Sequence, residues 1–104
     1  MAALGDVTVL SIRDAQAMVE EAIAKLAPID EEWVILDQYT IEKSWGWVFF
    51  YNSREYVKTG DDTYQLIGNA PYIVNRETHE LVATGTAEDI EVYIADYEAT
   101  IRRD

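Results

Sequence analysis

Few residues in this 104-residue chain have the types and spacing to do chemistry. The one histidine, His79, sits among Glu77, Thr78 and Glu80. A histidine that activates a nucleophile needs a serine or cysteine within hydrogen-bond reach. The chain has no cysteine, and no sequence signal brings Ser11, Ser44 or Ser53 to His79. Glu77 to Glu80 reads as a hairpin tip, so a solvated turn residue is the plainer account of His79. Acidic pairs are plentiful: Glu20-Glu21, Glu31-Glu32, Asp61-Asp62 and Glu88-Asp89. Adjacent acids on a helix point apart and share no proton. Asp30-Glu31-Glu32 and Asp61-Asp62 fall in loops, but they lack the alternating oxygen ligands and closing glutamate of a calcium loop. Gly46, Gly60, Gly68 and Gly85 are isolated, and no glycine-rich turn runs into a helix with a lysine for phosphate. No catalytic set converges. The expectation is a chain that is not an enzyme and needs no metal or cofactor.

The elements around these residues follow from periodicity. Ile12, Ala15, Val19, Ala22, Ile23 and Leu26 recur at helical spacing, which predicts a helix over Ser11 to Ala27. Ser11 is placed to cap it, with Asp14 three residues on, and Pro28 stops it. Trp33 to Glu42 reads as a strand whose apolar parity is interrupted at Asp37. Ser44 to Asn52 is the strongest strand. It sets Trp45, Trp47, Phe49 and Tyr51 on one face, with Gly46, Val48 and Phe50 on the other. Apolar residues on both faces make it a central strand. Gly46 inside it implies a bulge or close approach by a neighbouring ring.

Ser53 is placed to cap a short helical turn that Gly60 ends. Gly68-Asn69-Ala70-Pro71 is a rigid bend. Tyr72 to Arg76 and Leu81 to Thr84 form a second hairpin. Thr86 is placed to cap a last helix carrying Ile90, Tyr93, Ile94, Tyr97 and Ile101. The order α-β-β-β-β-α predicts an α+β fold, an antiparallel sheet of about four strands with an N-terminal and a C-terminal helix packed on it. The length suits a single domain over residues 1–104.

The net charge is −12. Residues 1–50 hold 9 acids and 3 bases, and residues 51–104 hold 11 and 5, so the acid is spread along the chain. A phosphate backbone or anionic membrane would be repelled, and neither nucleic acid nor membrane is expected as a partner. A basic protein would be attracted. No apolar run is long enough to span a bilayer, and Met1 to Asp6 lacks the features of a signal peptide. A cytoplasmic location is the default expectation. Trp45, Trp47, Phe49 and Tyr51 serve either as core under a helix or as a binding face, and core is favoured because two amphipathic helices need a sheet face to cover.

Lys43-Ser44-Trp45-Gly46-Trp47-Val48-Phe49-Phe50-Tyr51-Asn52-Ser53 carries a resemblance. It continues through Tyr56, Thr59-Gly60-Asp61 and Leu66-Ile67-Gly68-Asn69-Ala70-Pro71-Tyr72-Ile73-Val74, and ends at Thr84-Gly85-Thr86 before a helix with Tyr93 and Tyr97. The chain resembles the immunity protein 35 family, or YrhB-like domains, over nearly its whole length. Glu77 to Glu80 lacks the glycine expected at that hairpin's tip. The resemblance implies a bacterial antidote that binds and neutralises a cognate toxin of a polymorphic toxin system inside the producing cell. It gives a structural role to Trp45, Gly46, Trp47, Phe49, Tyr51, Gly68, Asn69, Pro71, Gly85 and Thr86. Contact with the toxin is then expected on exposed acids, with Asp30, Glu31, Glu32, Asp61 and Asp62 as candidates. The charge suits a basic toxin such as a nuclease, met as a monomer or a homodimer. The alternative is a chaperone-like acidic module that holds clients.

Overall fold

A computed structural model describes residues 9–101. Helix α1 spans Ile12–Leu26. The Ser11 hydroxyl accepts the Asp14 N–H at 3.1 Å, and Ala27 turns extended ahead of Pro28. Ala15, Val19 and Ile23, at i, i+4 and i+8, are its buried stripe.

The strands are β1 (Trp33–Ile35), β2 (Ile41–Lys43), β3 (Gly46–Phe49), β4 (Tyr51–Ser53), β5 (Tyr72–Asn75) and β6 (Leu81–Ala83). All pairing is antiparallel: β2-β3-β5-β6 make a four-stranded sheet, and β1 and β4 pair beside it. The strand expected from Trp33 to Glu42 is therefore two strands. Between the pairs Ile35–Tyr51 and Ile41–Val48 one side holds five residues and the other two. A 3-10 turn, Asp37–Tyr39, takes up the surplus, at the residue where the parity broke in the sequence.

Alternation along β3 and β5 divides the core. Trp47, Phe49, Tyr51 and Val74 pack under α1 with Ala15, Val19 and Ile23. Val48 and Ile73 point to the other face, where Ile94 and Tyr97 of helix α3 (Ile90–Ile101) cover them. The sheet is thus sandwiched between its two long helices.

Two expectations need correction. Trp45 is not on the Trp47–Phe49–Tyr51 face. It lies in the two-residue turn Ser44-Trp45 and packs on the α3 side, its ring 4.9 Å from that of Tyr97 and its indole N–H 2.9 Å from Glu98 Oε2. The neighbour that crowds Gly46 is backbone, not an aromatic ring: a Cβ there would sit 1.9 Å from the Val74 carbonyl oxygen.

The last helix also starts later than Thr86. It opens at Ile90, and Thr86 to Glu88 form an exposed bend. The Tyr93 phenol oxygen accepts the Ala87 and Glu88 N–H groups, which pins the bend ahead of the helix. Gly85 makes room for it, because a Cβ there would lie 2.6 Å from that oxygen.

Candidate partner-binding site

Asp30, Glu31 and Glu32 form the connection between α1 and β1, folded back by a bond from the Glu31 N–H to the Pro28 carbonyl. The Glu32 carbonyl accepts the Arg54 N–H at 2.8 Å, so the loop ends on a fixed ladder. Glu31 Oε1 accepts the Trp33 indole N–H at 3.0 Å, and Glu32 Oε1 lies 3.2 Å from Arg54 Nη1. Both members of that ion pair are more than half exposed, so it contributes below about 1 kcal/mol.

Opposite this loop stands helix α2 (Arg54–Thr59), capped by Ser53 and ended by Gly60 at φ +70°. Both caps are those expected from the sequence. The Ser53 hydroxyl donates to the Tyr64 carbonyl at 2.6 Å and accepts the Tyr56 N–H at 3.1 Å. The Asn52 side-chain oxygen Oδ1 accepts the Ser53 and Leu66 N–H groups. These two buried polar residues tie residues 64–66 to β4. The loop, α2 and the 63–66 segment enclose a cleft of about 560 Å³.

Asp30, Glu31 and Glu32 line this cleft together with Glu55; Asp61 and Asp62 are not among its lining residues. Asp61 instead caps the 3-10 turn Asp62–Tyr64 by accepting the Thr63 N–H. That bond holds its carboxyl below the usual range. Asn52 was the residue sequence reasoning passed over. Its signal was a polar pair, Asn52-Ser53, closing an aromatic strand. We expect Ser53→Ala to cost about 1–3 kcal/mol, because the α2 cap and the tie to Tyr64 go together. Urea denaturation, with faster hydrogen exchange at the Tyr56 amide, checks this.

The bend residues act at a distance. Gly68 sits at φ +80°, and Asn69 Nδ2 donates to the Tyr51 carbonyl at 2.7 Å. The Pro71 carbonyl accepts both the N–H and the hydroxyl of Thr84. Asn75, buried at the end of β5, accepts the Glu77 and Thr78 N–H groups and donates to the Tyr97 hydroxyl, which donates to Glu80. Burial raises the Tyr97 phenol above its ordinary pKa. His79 stands exposed in this turn at φ +65°. Among the described residues no group of three or more His, Asp or Glu side chains is placed to hold a metal ion, and no helix is long and apolar enough to cross a membrane.

The family model for immunity protein 35 matches residues 13–99. The chain belongs to the immunity protein 35 family. The match runs from the first turn of α1 to the last turn of α3, so it takes in both helical layers, the sheet and the Asp30–Glu32 loop. Among curated proteins, the uncharacterized protein YrhB of Escherichia coli (strain K12) is 44% identical over 55 residues, which is 53% of this chain and 58% of that protein. The aligned stretch thus spans little more than half of either chain. No solved structure matches the chain.

Proposed function

We propose that this chain is an immunity protein that binds a cognate bacterial toxin and neutralises it by contact rather than by catalysis, acting in the cytoplasm as one folded unit over residues 1–104. The observation that carries the reading is membership of the immunity protein 35 family over residues 13–99. The charge supports a basic toxin such as a nuclease. Glu21, Glu32 and Glu42 pair with Lys25, Arg54 and Arg76, while Asp30, Glu31, Asp61 and Asp62 stand exposed. Asp30, Glu31 and Glu32 are the proposed toxin contacts, with Asp61 and Asp62 on the adjoining turn. A client-holding chaperone would need an open aromatic face. Trp47, Phe49 and Tyr51 are 2%, 0% and 4% exposed, which removes that face from the surface.

Co-expression with the toxin encoded beside the gene tests the reading. Growth should be restored, and the two chains should co-purify. Growth arrest that persists with both chains present would sink the proposal.

A further inference from the structure

The edge of β1 offers more than charge. Antiparallel pairing alternates bonded and non-bonded residue pairs. The Arg54 N–H donates to the Glu32 carbonyl and the Leu36 N–H to the Phe50 carbonyl, both at 2.8 Å, so Glu32, Val34 and Leu36 face β4. Trp33 and Ile35 therefore aim their N–H and C=O groups away from β4. Among the described residues no strand pairs there and no backbone bond reaches those four groups. An open strand edge of this kind is a template for another strand.

That edge is one wall of a groove of about 420 Å³, and α1 is the other. On the α1 wall Ala24 and Ala27 present only methyl groups, which leaves room beside β1. The ionisable residues along the groove are Glu20, Glu31, Glu32 and Asp37, with no lysine or arginine among its lining. Arg54 pairs with Glu32 from outside, and the Gln16 amide holds Asp37 at 2.8 Å. Among the described residues no lysine or arginine pairs with Glu20 or Glu31.

We infer that this groove takes an extended, cationic segment of the toxin, which adds to β1 as a further strand with its Lys or Arg side chains set against Glu20, Glu31 and Asp37. The inference rests on the neutralisation proposed above and names the surface that performs it. The strand edge supplies main-chain bonds and the acids supply the choice of partner. A second copy of the chain is a poor occupant, because each copy brings a charge of −12 to an acidic groove.

The test uses the full chain and the toxin domain encoded beside it, with binding measured by calorimetry at low and moderate salt and amide exchange read by mass spectrometry or NMR. Glu20→Lys should weaken binding about tenfold at low salt and less at moderate salt. Ala24→Trp, which fills the groove from an exposed helix position, should weaken it at least as much at both. Glu91→Lys on α3 changes the net charge equally and should leave the affinity within about twofold. In the free chain the Trp33 and Ile35 amides should exchange fast, and the toxin should slow both. Wild-type affinity in Glu20→Lys and Ala24→Trp, with both amides unprotected in the complex, overturns the groove and leaves neutralisation standing. Slow exchange of both amides in the free chain also overturns it, since something already fills the edge. Absence of any complex removes the neutralisation reading and this inference together.

Discussion

Gly46→Ala is expected to destabilise the fold by about 3 kcal/mol or more, a loss comparable to much of the stability of an ordinary domain. The added Cβ would meet the Val74 carbonyl oxygen at 1.9 Å and the Asn75 Cα at 3.0 Å. Both are main-chain atoms of β5, paired with β3 through Gly46–Asn75 and Trp47–Val74, so no side chain can swing aside. Either β3 and β5 part at this end or the Ser44-Trp45 turn shifts. The first breaks the central pairing of the sheet, and the second pulls Trp45 from Tyr97 and Glu98. The thermal midpoint should fall by about 15 °C. Gly60→Ala provides the contrast. Gly60 also has positive φ, yet a Cβ there meets nothing within 4 Å, and a loss of about 1 kcal/mol is expected from conformation alone. A Gly46→Ala midpoint within 3 °C of the parent would refute the steric account.

Phe49→Ala should cost about 4 kcal/mol, against about 2 kcal/mol for Phe50→Ala. Phe49 is fully buried, packed with Trp47 and Tyr51 under the Ala15–Val19–Ile23 stripe of α1. Truncating it opens a cavity between a strand and a helix that other contacts hold in place, so little collapse is available. Phe50 is half-buried on the α3 side, at the residue that separates β3 from β4, and its neighbours have solvent into which to relax. Chemical denaturation midpoints measure the difference. Equal losses would mean that alternation along this strand does not divide the core as described.

Much of this was legible because it depends on near neighbours in the chain. The α1 stripe, the Ser11 and Ser53 caps and the Gly60 stop are decided within one or two helical turns; the caps and the stop were found where expected, and of the stripe Ala15, Val19 and Ile23 are buried while Ile12 and Leu26 at its ends are exposed. The break at Asp37 was visible as a fault in parity, although its form, a 3-10 turn that splits one strand into two, was not. The errors share a cause. Trp45 was assigned by parity to a strand it precedes, and its face was set by a two-residue turn and by a carboxylate on α3, 53 residues away. Thr86 had the type and spacing of a cap, but the helix opens at Ile90, and the Tyr93 phenol reaching back over Gly85 holds residues 86–88 as a bend.

The candidate site divides in the same way. The acids of Asp30–Glu32 could be marked from their loop position, and Asp61 and Asp62 with them. Their separation was not readable, since it follows from Asp61 bonding to its own 3-10 turn while Asn52 and Ser53 draw residues 64–66 to β4.

By itself the sequence determined the α+β class, the identity of the central strand, the acidity and the family. These follow from composition, from periods of two and 3.6 residues, and from short motifs, none of which needs a distant contact. The tertiary structure decided which face each aromatic ring serves, which acids share a cleft, and that the edge of β1, unpaired among the described residues, lies along the acidic flank of α1. Those are relations between residues far apart in the chain, fixed by strand register and helix placement, and register becomes definite only when both faces of the sheet are covered.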